Sequence, residues 1–186
     1  MAKLIYSAIM SVDGFIEDRE GKFDWAAPDE ELHTFFNDLE RDAGTYLYGR
    51  RMYEVMTFWE NEAELAAAPQ YIQDFGRIWR SADKIVYSAS LDSVKTEKTR
   101  LIRTFDAAEV KRLKAEASRD IGIGGPALAA EAFEAGLVDE CHLVLVPVAV
   151  GDGKPALPAG RRLTFTLLSQ RAFSGGAVHL HYRVDA

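Results

Sequence analysis

Residues Asp120 to Pro147 constrain the fold of this chain more than any other stretch. Apolar residues lead into Gly124-Gly125, Pro126 follows, then a helical run, then a second apolar run. The pattern reads strand, tight glycine turn, helix, strand. Glycines without side chains let a ligand approach the backbone closely. Pro126 suits a first helical turn, where a missing N–H costs nothing. The free N–H groups and positive dipole end of that helix would face whatever lies over the glycines. That makes an anion site, and a dinucleotide pyrophosphate is a natural occupant. Gly122, Gly124 and Ala127 also match the dinucleotide-binding spacing G-x-G-x-x-A. The match stands late in the chain, however, and Asp139 and Glu140 follow too soon for the usual ribose contact. On this motif alone, a turn that merely lets helix and strand pack explains the stretch equally well.

The remaining segments supply the context. Leu4 to Val12 is apolar on both faces, as a central strand covered by helices should be, and Asp13-Gly14 breaks it. A polar loop runs on to Phe23-Asp24-Trp25. Pro28 opens a helix with Asp29, Glu30 and Glu31 in its first turn, and Leu32, Phe35, Phe36 and Leu39 form its apolar stripe. Thr45 to Tyr48 is a short strand that meets Gly49-Arg50-Arg51 and a short helix. Residues 58–68 read as irregular and acidic. Pro69 opens a helix faced by Tyr71, Ile72, Phe75, Ile78 and Trp79. Lys84 to Ser88 and Thr99 to Thr104 are strands, and Ala107 to Ser118 is an amphipathic helix. Gly151 to Gly160 reads as a loop. Leu163 to Phe173 and Val178 to Val184 form an antiparallel hairpin through Gly175-Gly176. Strands and helices thus alternate, which predicts one α/β domain over residues 1–186, with a mainly parallel sheet and an antiparallel edge.

Four features fall at carboxyl ends of strands, where open parallel sheets bind ligands. They are Asp13-Gly14, Gly49-Arg50-Arg51, Ser88 and Gly124-Gly125. This arrangement resembles the dihydrofolate reductase-like superfamily, especially the branch shared with the reductase domain of riboflavin biosynthesis. The resemblance is carried by MSVDGFI (Met10 to Ile16), LYGRRMYE (Leu47 to Glu54), KIVYSAS (Lys84 to Ser90), the stretch from Ile123 to Gly153, and the closing hairpin. It implies a three-layer fold and an NADPH-dependent reductase. By the same resemblance, Gly124, Gly125 and the helix start Pro126, Ala127 and Leu128 would hold the pyrophosphate. Gly49, Arg50 or Arg51, and Ser88 would surround the adenosine 2′-phosphate. The folate enzymes commonly carry threonine where Met52 stands, so one phosphate contact is missing here. Those enzymes also place a carboxylate shortly after Trp-x-x-Pro, and Trp25-Ala26-Ala27-Pro28 puts Glu30 at that position. Glu30 and Asp13 are therefore the candidate catalytic residues, and Asp13, Trp25 and Glu30 the candidate substrate contacts. Read without the resemblance, Glu30 belongs to an ordinary acidic first turn and Asp13 is a turn-former.

The expected substrate is a small heterocycle or a carbonyl or imine compound, reduced by hydride transfer, with the proton from water or a nearby carboxylate. A net charge of −7 argues against nucleic acid as a partner. The lone Cys141 permits neither an internal disulfide nor a cysteine-rich metal site. No leader or apolar run suggests export or a membrane, so a cytoplasmic protein is expected. His179 and His181 share one strand face, but no third metal ligand is evident and they read as surface or packing residues, as His142 does. A homodimer is expected. The alternative to a reductase is a non-catalytic nucleotide-binding, dimeric module.

Overall fold

The structure, a computed structural model, describes residues 1–185. In chain order its elements are β1 (Leu4–Ser11), β2 (Phe15–Asp18), α1 (Glu30–Glu40), β3 (Ala43–Gly49), α2 (Arg50–Met56), α3 (Glu62–Leu65), α4 (Gln70–Ser81), β4 (Asp83–Tyr87), β5 (Thr99–Ile102), α5 (Ala107–Glu116), β6 (Asp120–Gly124), α6 (Pro126–Glu134), β7 (Glu140–Val146), β8 (Gly153–Pro155), β9 (Phe165–Ala172) and β10 (Val178–Val184). The main sheet runs β5-β4-β3-β6-β1-β7-β10-β9. Its first six strands are parallel, and β10 and β9 close it antiparallel. This is the α/β architecture that the resemblance implies.

Both faces of the sheet are covered, which is why β1 has no polar side. One face packs Leu4, Tyr6, Leu47, Ile123 and Leu143 against Val110 of α5 and Leu128, Ala132 and Phe133 of α6. The other packs Tyr46, Tyr48 and Val86 with Trp79 of α4, and Val144 and Val146 with Leu32 of α1.

The centre of the sheet is matched residue against residue. Tyr46 lies opposite Gly122, and Tyr48 opposite Gly124. The two tyrosine rings stack 5.7 Å apart across the space that the glycines leave. A Cβ on Gly122 would come within 2.8 Å of the Tyr46 ring, and one on Gly124 within 2.9 Å of the Tyr48 ring. Buried Tyr48 keeps its hydroxyl satisfied by accepting the Trp79 indole N–H at 3.2 Å.

Two parts of the sequence reading need correction. Residues expected to lie in loops form a small second sheet, β2 with β8. Glycine makes that pairing possible, since any Cβ at Gly153, whose φ is +158°, would collide with the Glu17 carbonyl. The acidic stretch after Phe58 is partly helical, with Asn61 capping α3 by accepting from the Glu64 N–H at 3.3 Å.

At the end of α1, Glu40 turns its carboxyl inward although its stem is partly exposed. Burial raises its pKa, and hydrogen bonds from Ser7 and Tyr46 offset part of that. A carboxyl whose folded pKa is raised stabilises the fold fully below its unfolded pKa, and that stability is lost as pH rises through the folded value. Glu40→Gln should therefore raise the melting temperature at pH 7, and the gain should shrink as pH falls toward 4. Thermal unfolding across that range checks it.

Candidate active site

The carboxyl ends of β1, β3, β4 and β6 share one rim, and two helices start there. Gly49 caps α2 and Gly125 caps α6, and neither helix start receives a side-chain hydrogen bond. The N–H groups of the first turn of α2, and of Ala127 and Leu128 in α6 since Pro126 has none, are thus left for a ligand. The two starts are neighbours: a Cβ on Gly49 would lie 3.9 Å from the Cβ of Leu128. Gly125 has φ +88°, a conformation in which glycine is strongly favoured. Met52 sits against it, 3.2 Å from where a Cβ would project. Glycine at 124 is thus demanded by Tyr48 packing, and glycine at 125 by backbone conformation. Pro126 and Ala127 open α6 beyond the turn, with Pro126 in its first turn.

The two arginines part company. Arg50 points along the rim, its Nε 2.7 Å from Glu54 and its Nη1 donating to the Ser90 hydroxyl at 3.1 Å. Arg51 goes the other way and pairs with Glu17 of β2. Glu17 is buried and also lies 3.6 Å from Lys154 of β8. Arg51 therefore fastens the β2–β8 flap to α2.

Ser88 is buried, and its hydroxyl accepts from the main-chain N–H groups of Ser90 and Leu91, at 3.3 and 3.0 Å. It shapes the turn, while the hydroxyl beside Arg50 belongs to Ser90. Arg103, after β5, donates to the Leu91 and Ser88 carbonyls and adds a second guanidinium near that turn. Ser90 and Arg103 escaped the sequence reading. The serine two places beyond the strand end was its only available signal.

On the other side of the rim, Asp13 accepts from the Val150 and Gly151 N–H groups at 3.2 and 2.7 Å. Its hydrogen bond with Ser11 and those main-chain donors hold its pKa below the usual carboxylate range. That favours a charged latch between two loops over a proton donor. Trp25 is half-buried among Leu32, Phe35 and Val146, and its indole N–H donates to the Lys22 carbonyl at 3.2 Å. The three carboxyls of the α1 start have separate fates. Asp29 caps the helix at the Leu32 N–H. Glu31 accepts from Ser174 and Arg171. Glu30 is exposed and engages no hydrogen bond or ion pair among the described residues.

The histidines come together at the other end of the sheet. His142 and His179 are buried, their Nδ1 and Nε2 lie 2.9 Å apart, and His181 stacks on His142 at 4.1 Å. Burial, with the charges of neighbouring groups, pushes His142 down to about 3 and His179 to about 4. The sequence reading saw no third ligand beside His179 and His181, but the fold brings His142 and Glu140 into one cluster with them, which their separation in sequence hid.

Comparison with known proteins bears on the fold. The profile of the RibD C-terminal domain matches residues 2–179. YyaP, an uncharacterized protein of Bacillus subtilis strain 168, is 29% identical over 182 residues, covering 97% of this chain and 94% of its own. A candidate riboflavin biosynthesis protein from Shewanella sp. PV-4 superposes with a TM-score of 0.76 at 20% identity, over 100% of both chains. Dihydrofolate reductase from Enterococcus faecalis, solved with NADP(H), does so with a TM-score of 0.67 at 14% identity, over 99% of this chain and 97% of its own. No helix among the described residues is long and apolar enough to cross a membrane.

Proposed function

This chain belongs to the RibD C-terminal domain family, and we propose that it is a reductase that takes a hydride from NADPH and gives it to a small heterocycle or a carbonyl or imine compound. The observation that carries this reading is the meeting of two helix starts without a side-chain cap hydrogen bond and Arg50 on one sheet rim. A dinucleotide needs donors for a pyrophosphate and a cation for a 2′-phosphate, and this rim has both. Gly125 and the start of α6 would hold the pyrophosphate. Gly49, Arg50 and Ser90 would hold the 2′-phosphate, with Ser88 shaping the turn beneath. The Arg50–Glu54 pair is exposed, and solvent screening leaves such a pair little net strength. Arg50 can therefore exchange Glu54 for a phosphate at little cost. Met52 offers no hydroxyl to that phosphate.

When bound, the dihydronicotinamide supplies the hydride, and the protein must position the substrate, exclude water and deliver a proton. The substrate would lie between the flap and the start of α1. There Trp25 gives an aromatic wall, Asp13 holds the 150 loop in place, and Glu30 is the carboxyl left free to pass a proton from solvent. The exposed edge strand β9, which bears Leu167 and Leu168, supports a homodimer.

Titrating the purified protein with NADPH and NADH, followed by nicotinamide fluorescence and thermal shift, tests the reading. Saturable binding with NADPH preferred is the expected result. Failure to bind either at millimolar concentration would overturn it. With an active substrate, Glu30→Gln should lower kcat about tenfold, less than a general acid that solvent cannot replace. Asp13→Asn should act mainly on KM, because it loosens the 150 loop rather than removing a proton source. Steady-state kinetics separates the two.

A further inference from the structure

At the amino ends of the parallel strands, the face covered by α1 carries a polar cluster for which the proposed reaction has no use. Glu140 and His142 are two apart on β7 and share a face. The antiparallel register sets His181 of β10 directly opposite His142. One ligand atom from each of Glu140, His142 and His181 can be chosen so that all three lie within 4.8 Å of one another. We propose that these three residues form a binding site for one divalent ion of the zinc class, which ties β10 to β7.

Two of the ligands already have an outer partner. His142 uses Nδ1 on His179 at 2.9 Å, which leaves Nε2 for an ion. Glu140 uses Oε1 on Lys3 at 2.7 Å, which leaves Oε2. Such second partners fix ring orientation and carboxylate position in metal sites, and they are what separates a built site from a chance cluster. The His181 Nε2–H to Glu140 Oε2 hydrogen bond, at 2.9 Å, is the contact that an ion would replace. Two imidazoles and one carboxylate suit Zn²⁺ or Co²⁺, whereas Mg²⁺ and Ca²⁺ seek shells of oxygen. An entry path exists, since the His181 side chain is 22% exposed and that of Glu140 11%. Glu140 lies roughly 20 Å along β7 from the rim end of that strand, at about 3.3 Å per residue. The ion is therefore structural, separate from the hydride chemistry.

The test begins with protein stripped by a chelator and dialysed, then titrated with Zn²⁺ by calorimetry. One equivalent should bind and raise the melting temperature, and Mg²⁺ should do neither. Co²⁺ should give the visible absorption of a four-coordinate ion. His181→Asn, at the least buried ligand, should weaken Zn²⁺ at least a hundredfold while the protein still folds. Glu140→Gln should weaken it too. His179→Gln should weaken binding about tenfold to a hundredfold through His142, the range for lost second-shell partners. His33→Gln, at the one histidine outside the cluster, should leave it unchanged. No Zn²⁺ binding by the stripped protein at 0.1 mM, about the weakest affinity a built site would show, would overturn the proposal. So would undiminished binding by His181→Asn.

Discussion

Arg50→Ala should weaken NADPH binding about tenfold to a hundredfold and leave NADH nearly untouched, since a lost charge-assisted phosphate contact costs about 1.5–3 kcal/mol. The reason lies in where the side chain points. Arg50 reaches along the rim to Ser90, and its partner Glu54 is an exposed residue that a phosphate can displace. Arg51, one residue on, makes the informative control. Its guanidinium holds the buried carboxylate of Glu17. Arg51→Ala should therefore lower the melting temperature and loosen the flap, because Glu17 is left with Lys154 alone. Cofactor discrimination should survive it. Paired titrations of the two variants with both cofactors decide the matter. Discrimination lost in Arg51→Ala and kept in Arg50→Ala would reverse the assignment.

Gly124→Val should destabilise the protein by about 3 kcal/mol, at the upper end of the range for overpacking a core. Gly124 is buried, and its Cβ position is 2.9 Å from the Tyr48 ring and 3.3 Å from the Met52 Cγ. The ring cannot retreat, because it stacks on Tyr46 and accepts the Trp79 N–H. At roughly 2–4 °C per kcal/mol for a chain of this size, the melting temperature should fall by about 6–12 °C. Gly136→Ala provides the contrast. Its φ is +65° but nothing lies within 4 Å of the new Cβ, so only backbone strain remains, about 1–2 kcal/mol. Thermal melts of the two variants separate the steric cost from the conformational one. Equal losses would show that Tyr48 yields.

Much of this was legible because each rim segment carries its own local signal. An apolar strand ends in Asp13-Gly14, in Gly49, in Ser88 or in Gly124-Gly125, and a helix start follows two of them. What escaped depends on partners far apart in sequence. The β2–β8 pair joins short strands that hold no periodicity of their own, across more than 130 residues. The tyrosine–glycine match between β3 and β6 was visible only as two unrelated patterns, YLY and GIG. Ser88 was selected for lying at a strand end, but the turn buries its hydroxyl and offers that of Ser90 instead. The histidine cluster needed the antiparallel register to become visible.

Strand β1, made before every other strand of this sheet, sits between β6 and β7. Its strand partners begin at residue 121 and end at residue 146. At a synthesis rate of about 5–20 residues per second, Leu4–Ser11 must wait several seconds for either neighbour to be made. During that interval an apolar segment with two open edges stands unpaired. The sheet cannot close on β1 until β6 and β7 have been made, so completion of the fold is gated by translation of the last third of the sequence.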